Sequence, residues 1–98
     1  MVPESVIAAV QAELGVTREQ LLLPTRSSQR VAWARQIAMH LCRSLHPGAS
    51  WSEIGRWFGR DRTTVRAAHK KLLEARWRDP ALDARVLEVI RVCSAPPV

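Results

Sequence analysis

Apolar residues recur along this chain at the spacing of an α-helix. In the longest such segment they fall every three or four residues, at Val31, Ala34, Ile37, Ala38, Leu41 and Leu45. A period near 3.6 residues marks a helix with one apolar side. No stretch alternates apolar and polar residues for long, as a half-buried strand would. The pattern therefore predicts an all-α fold of about six helices, forming a single domain over residues 1–98.

Capping residues mark where the predicted helices begin and end. Starts are expected, in chain order, at Pro3, Thr17, Ser27 or Ser28, Ser50, Asp61 and Asp79. The corresponding ends are expected at Gly15, Pro24, His46, Gly59, Glu74 and Ser94. Thr17 with Gln20, and Ser50 with Glu53, have the spacing of a capping box, in which side chains and backbone satisfy each other's hydrogen bonds.

The segment over about residues 50–75 has the layout of a helix-turn-helix. A short helix capped at Ser50 runs to Phe58, Gly59 and Arg60 form a tight turn, and a longer helix follows from Asp61. Two helices joined by a three- or four-residue turn with glycine are typical of this DNA-binding motif. The sequence therefore predicts a helix-turn-helix here.

The second helix of this motif separates its apolar and basic residues. The apolar ones would dock the helix on the core, at Val65, Ala68 and Leu72. The basic ones share the opposite face at i, i+4 and i+8 spacing, at Arg62, Arg66 and Lys70. Such a face fits a DNA major groove, because arginine can donate two parallel hydrogen bonds to guanine and threonine can contact a thymine methyl. A basic helix face can also serve solubility alone, and that alternative stays open.

Composition and charge indicate a negatively charged partner. The chain has 98 residues, with 15 Lys and Arg against 9 Asp and Glu, and a net charge of +6. The excess lies between Arg26 and Arg78, a stretch with 12 basic and 3 acidic residues. A chain this short has little room for both a core and a deep catalytic cleft. We therefore expect a binding module that meets an anionic partner, and not an enzyme.

Other kinds of site lack their sequence signatures. The three histidines, His40, His46 and His69, have no metal-ligand spacing with each other or with the cysteines. Cys42 and Cys93 are too few for a disulfide framework and are expected to be buried free thiols. The sequence contains neither a Gly-x-x-x-x-Gly-Lys phosphate loop nor an apolar run of membrane-spanning length. We expect no metal, no cofactor, no membrane partner and a cytoplasmic location.

Two strings of residues resemble a known family. One reads Arg60-Asp61-Arg62-Thr63-Thr64-Val65, preceded by Glu53-Ile54-Gly55 and Phe58-Gly59, and the other is Val31–Leu41. Together they resemble the carboxy-terminal DNA-binding domain of the bacterial replication initiator DnaA, whose helix-turn-helix is like that of the Trp repressor. The likeness runs from about Val6 to about Val92. It implies the same all-α fold, binding to double-stranded DNA and a place at the bacterial nucleoid.

The resemblance also implies roles for individual residues. Base edges in the major groove would be contacted by Asp61, Arg62 and Thr63, to which the basic helix face adds Arg66. Phosphates would be held by Arg35, Gln36, Arg43 and Thr64, to which the same face adds Lys70. An arginine would enter the minor groove from the loop before the long helix, with Arg26 and Arg30 as candidates. Asp61 is expected to cap its helix with one oxygen and to leave the other for a cytosine amino group.

Several positions depart from the family pattern. Histidine usually stands where this chain has Arg62, Ser27 occupies the usual minor-groove position, and Gly59 stands alone where two glycines are usual. These departures predict a target different from the initiator's usual box. Because the sequence has no phosphate loop, we do not expect this chain to hydrolyse ATP as the initiator does.

Three functional interpretations stay open on the sequence. A transcriptional regulator, or the DNA-targeting domain of one, is favoured. A replication-related protein that binds DnaA-type boxes is the second, and an adaptor whose basic face meets an acidic protein is the third. The amphipathic last helix, Pro80–Cys93, is expected to close the core or to dock a second copy or a partner protein.

Overall fold

The computed structural model describes residues 2–23 and 28–94, and every regular element within those ranges is a helix. The six helices are α1 (Glu4–Leu14), α2 (Arg18–Leu22), α3 (Gln29–Leu45), α4 (Trp51–Phe58), α5 (Arg62–Arg78) and α6 (Pro80–Ser94). The predicted all-α fold is confirmed. No helix in the described ranges is both long enough and apolar enough to cross a membrane.

The predicted capping residues sit at the helix starts. Thr17 and Ser50 each form a complete capping box, at the starts of α2 and α4. Ser28 caps α3, because its hydroxyl accepts a hydrogen bond from the backbone N–H of Val31 at 3.3 Å. Ser27, the alternative cap, lies outside the described residues. These caps fix where each helix begins without help from distant parts of the chain.

Helix α5 is longer than predicted. It continues past Glu74 to Arg78, and the next helix begins at Pro80. No glycine or proline interrupts the sequence between Glu74 and Asp79, so nothing local stops the helix earlier. Asp79 then caps α6, with its Oδ1 accepting from the backbone N–H of Leu82 at 3.2 Å.

Helix α3 forms the centre of the molecule and packs against each of the other five helices. Its predicted apolar stripe is buried from Val31 to Leu41, and Leu45 packs at the edge of the core. Four further residues of α3 are also buried, at Arg35, Met39, His40 and Cys42. The middle of α3 is therefore enclosed on several sides, which places a histidine and a thiol inside the core.

Candidate nucleic-acid interface

The turn between α4 and α5 is held tightly by backbone hydrogen bonds. Gly59 has a left-handed conformation (φ 63°), and the N–H of Arg60 donates to the carbonyl of Gly55 at 2.8 Å. This 6→1 bond, together with the bond from Gly59 to Arg56 (3.4 Å), is the Schellman pattern that ends a helix. A Cβ at Gly55 would lie 2.4 Å from the Arg60 carbonyl oxygen. The start of α5 is thus fixed against α4 by a contact that requires glycine.

The predicted base-reading residues project together from the first two turns of α5. Arg62, Thr63 and Arg66 are exposed, and they line one shallow groove with Trp51 of α4. Val65, on the opposite side, is fully buried. The start of α5 therefore presents two arginines and a threonine to the solvent.

Asp61 is the cap of α5, as predicted. Its Oδ1 accepts from the backbone N–H of Thr64 at 2.8 Å. This backbone bond is the main cause that holds the pKa of Asp61 below its usual value, and the hydroxyl of Thr64 adds to it. The exposed carboxylate is therefore ionised at neutral pH and anchored at the helix start.

A second groove runs along the side of α5 that faces α3. Gln36 and Thr64, both predicted to hold phosphates, line it together with Lys71. The ammonium of Lys71 also lies 5.5 Å from the centre of the Trp33 ring. The sequence reasoning did not assign Lys71 to the site. Its position two helical turns after Thr64, on the same side of α5, was the available signal.

Arg35, a predicted phosphate contact, is only 5% exposed. Its Nε donates to the carbonyl of Leu21 at 3.1 Å, and its Nη2 donates to the carbonyl of Gln20 at 2.6 Å. Burial and the nearby charge of Arg60 lower the pKa of Arg35. The side chain satisfies backbone carbonyls at the end of α2 and ties that helix to α3, and its contact with phosphate stays a prediction.

Arg43 contacts the loop between α3 and α4. Its Nη1 donates to the carbonyl of Ala49 at 3.0 Å, and its guanidinium lies 4.4 Å from the centre of the Trp51 ring. This stacking connects Arg43 to the groove that holds Arg62. A phosphate contact from Arg43 stays a prediction.

Of the two candidates for the minor groove, only Arg30 lies within the described residues. Arg26 lies outside the described residues. Arg30 is exposed at the start of α3, and its Nη1 donates to the carbonyls of Leu14 and Gly15 at 3.1 and 3.0 Å. It thereby satisfies carbonyl groups at the end of α1.

The two thiols are unpaired, and they differ in burial. Cys42 is fully buried, as expected, and burial raises its pKa to about 12. Cys93 is only partly buried, and burial raises its pKa as well. Neither is poised as a thiolate at neutral pH. Within residues 2–23 and 28–94, no three His, Cys, Asp or Glu side chains are grouped to hold a metal ion.

Comparison with known proteins places this arrangement in a family. The sequence model described as "Bacterial dnaA protein helix-turn-helix" matches residues 3–72. The chain is 47% identical over 66 residues to the chromosomal replication initiator protein DnaA of Mycobacteroides abscessus, covering 67% of this chain and 13% of that protein. It is 47% identical over 73 residues to DnaA of Clavibacter sepedonicus, covering 74% of this chain and 15% of that protein. The chain thus spans a small part of the relatives it matches, and it belongs to the bacterial DnaA helix-turn-helix family.

Proposed function

We propose that the protein binds double-stranded DNA in a sequence-specific manner, with the start of α5 in the major groove. The observation that carries this proposal is the shared exposed surface of Arg62, Thr63 and Arg66 on a helix whose other side is buried. An α-helix fits the major groove, and the first residues of the second helix in such motifs reach the base edges. Asp61, at the same end of α5, would accept from a cytosine amino group with the carboxylate oxygen that does not cap the helix.

Phosphate contacts would flank this surface on both sides. On the α3 side, Gln36, Thr64 and Lys71 line one groove, and Lys70 is exposed further along α5. Contacts of this kind hold the register on the duplex, while the base contacts select the sequence. Arg30 and Arg43 belong to the proposal too, although each also donates to backbone carbonyls. Arg35 is a phosphate candidate whose nearly buried guanidinium already donates to carbonyls of α2, so its variant has to be tested for both roles.

Arg62 is the residue most expected to set the base preference. It is exposed at the first helical position of α5, where the guanidinium can donate two hydrogen bonds to guanine O6 and N7. Its loss should cost about 1–3 kcal/mol on the preferred duplex and relax the preference at one base step.

The experiment is to select bound duplexes from a random pool and then to compare the affinities of variants for the selected sequence. Arg62→Ala should lose affinity for that duplex and gain tolerance at one position. Arg91→Ala, which removes the same charge from α6 where Arg91 pairs with Glu88 at 2.6 Å, is the matched control and should bind as the wild type does. If no sequence is selected, or if Arg62→Ala keeps the wild-type sequence preference, the proposal that α5 contacts the base edges is refuted.

For the cellular role, we propose a transcriptional regulator or the DNA-targeting domain of one. The support is the arginine at position 62, where histidine is usual in the family, which predicts a target other than the initiator's box. Binding to DnaA-type boxes in replication is the alternative. The selected sequences separate the two: initiator-type boxes among them would favour the replication role.

A surface for a second copy or a partner protein is a further part of the proposal. Trp77 is 89% exposed and Leu73 is 49% exposed, one turn apart at the end of α5. They border a groove that also contains Pro80 and Asp83 of α6. Tryptophan is enriched among the residues that contribute most to binding at protein interfaces. Sedimentation of the wild type and Trp77→Ser over a range of concentrations tests self-association.

An adaptor that meets an acidic protein through its basic face is the third candidate. It predicts no salt-dependent binding to duplex DNA, whereas a DNA-binding protein should lose affinity steeply as salt rises. A gel shift with unrelated duplex across a salt series decides between them.

A further inference from the structure

A chain of contacting polar and aromatic side chains links α6, α5, α3 and α4 and ends beside the exposed surface of Arg62, Thr63 and Arg66, which we call the reading surface. Arg76 of α5 donates from Nε to Asp83 of α6 at 2.7 Å, and its Nη1 lies 3.0 Å from Nε2 of His40 in α3. Nδ1 of His40 lies 2.9 Å from Nδ1 of His69 in α5. The His69 ring in turn contacts Trp51 of α4, with the ring centres 5.5 Å apart. We call these five side chains the His40–His69 network.

The partners in this network determine the protonation of both histidines. A guanidinium can only donate, so Nε2 of His40 must accept from Arg76. His40 therefore carries its proton on Nδ1 and donates it to Nδ1 of His69. His69 must then carry its own proton on Nε2. Both rings are neutral, and the burial that lowers the pKa of each histidine favours the same state.

The network joins α5 to the helices on which its orientation depends. His40 is fully buried in the central helix α3, so the bond to His69 fixes the middle of α5 against the core. Trp51, which His69 contacts, lines the groove with Arg62 and Arg66. His69 lies seven residues after Arg62, about 10 Å along the helix. A small rotation of α5 about His69 would thus move the arginines away from the base edges.

We propose that the Nδ1–H···Nδ1 hydrogen bond between His40 and His69 is a positioning element of the reading surface, which sets the orientation of α5 and the place of Trp51 beside Arg62. The inference rests on the proposed binding to duplex DNA. Bidentate contact with a base tolerates only a few tenths of an ångström in hydrogen-bond length, while contact with phosphate is less demanding. The bond therefore acts on sequence preference more than on general affinity for DNA.

Two substitutions of His69 separate the hydrogen bond from the bulk of the ring. His69→Asn places an amide oxygen close to the position of Nδ1 and can still accept from His40. His69→Phe keeps a ring beside Trp51 but has no acceptor, so it leaves the His40 N–H without its partner. The matched control is His46→Asn, which changes an exposed histidine in the α3–α4 loop.

The measurement is the dissociation constant for the selected duplex and for an unrelated duplex at one salt concentration. We expect His69→Phe to lose about tenfold or more on the selected duplex, as for one misplaced base contact, and less than about twofold on the unrelated one. His69→Asn and His46→Asn should keep the wild-type ratio within about twofold. A folded His69→Phe with the wild-type ratio, or a His69→Asn that loses as much as His69→Phe, would overturn the proposal.

A measurement on the wild type covers the case in which His69→Phe does not fold. Nitrogen chemical shifts of the imidazole rings at pH 7 report which ring nitrogen carries the proton. The proposal requires the proton on Nδ1 of His40 and on Nε2 of His69, and any other pattern overturns it. If the wild type shows no preference among duplexes, the proposed sequence-specific binding fails, whereas the measured tautomers still test the hydrogen bond itself. Failure of the proposed function and failure of the positioning proposal are therefore distinguishable.

Discussion

Acidification from pH 7 to pH 5 is expected to destabilise the protein through the buried His40. Burial lowers the pKa of His40 from 6.5 to about 4, and the nearby His69 and Arg76 contribute in the same direction. The folded state thus resists a proton that the unfolded chain accepts near pH 6.5. As the pH falls below 6.5 the unfolded state binds more protons, and the free energy of unfolding decreases until the pH approaches 4.

The size of the effect follows from this difference in pKa. Between pH 6.5 and pH 4, each pH unit changes the free energy of unfolding by about 1.4 kcal/mol for a single group. The loss should therefore be about 2 kcal/mol at pH 5 and about 3 kcal/mol by pH 4. Stabilities of small domains are only about 5–15 kcal/mol, so a change of this size is easily measured. His69, whose pKa is also lowered, acts in the same direction.

The assay is urea unfolding followed by circular dichroism at several pH values between 7 and 5. Carboxylates with a lowered pKa, such as Asp61 and Glu88, lose their contribution at lower pH than this window. His40→Leu should make the dependence on pH less steep even if it lowers the stability overall, because it removes the contribution of His40 and leaves that of His69. His46→Gln, an exposed substitution, should keep the wild-type slope. A free energy of unfolding that stays level from pH 7 to pH 5 in the wild type would refute the reasoning.

Two substitutions at helix boundaries test the local architecture by the same unfolding assay. Gly55→Ala should lower the free energy of unfolding by about 2–3 kcal/mol, because its Cβ would lie 2.4 Å from a backbone oxygen of the α4–α5 turn. Gly48→Ala is the control, since a Cβ there meets nothing within 4 Å. Equal stability of the two variants would contradict the tight turn. Ser50→Ala removes the capping box of α4 and should lower the free energy of unfolding by about 1 kcal/mol. Ser52→Ala, an exposed position two residues further along, is the control and should leave the stability unchanged.

Much of the fold could be predicted because its determinants are local. A cap such as Ser50 and its partner Glu53 are three residues apart, so the sequence alone contains the whole interaction. The stop at Gly59 is equally local, since the left-handed conformation at that point favours glycine. The exposure of Arg62 and Arg66 followed from the same periodicity that buried Val65. These features made the reading surface predictable before the structure.

The partners of the buried polar groups could not be predicted in this way. His40 and His69 are 29 residues apart, and neither has a metal-ligand or catalytic spacing that marks it in the sequence. Their contact depends on how α5 crosses α3, which periodicity does not determine. The burial of His40 likewise follows from the central place of α3, because a helix that packs on several sides buries more than one stripe.

A count of the basic residues overestimates the positive charge that is available to bind DNA. The sequence has its excess positive charge between Arg26 and Arg78, and that charge is expected to meet an anionic partner. In the structure, three arginines of this stretch donate to carbonyls at helix ends: Arg30 at the end of α1, Arg35 at the end of α2 and Arg60 at the end of α4. A cation at a helix carboxyl end is favoured by the helix dipole as well as by hydrogen bonds. Part of the positive charge therefore stabilises the fold.

Arg35 is the residue at which these two uses of charge can be separated. If it holds the end of α2, Arg35→Gln should lower the free energy of unfolding by about 2 kcal/mol, since its bonds to the carbonyls of Gln20 and Leu21 involve a charged donor. The salt dependence of DNA binding should then stay close to that of the wild type. If Arg35 instead holds a phosphate, the stability should persist and the log–log salt slope should fall by about 0.9.

Lys70→Ala supplies the comparison, because Lys70 is exposed on α5 and its loss removes a proposed phosphate contact without opening the core. We expect the slope to fall in Lys70→Ala and the stability to fall in Arg35→Gln. An Arg35→Gln variant that is as stable as the wild type and has the reduced salt slope would indicate that Arg35 contacts a phosphate. It would also show that the carbonyls at the end of α2 do not depend on the guanidinium.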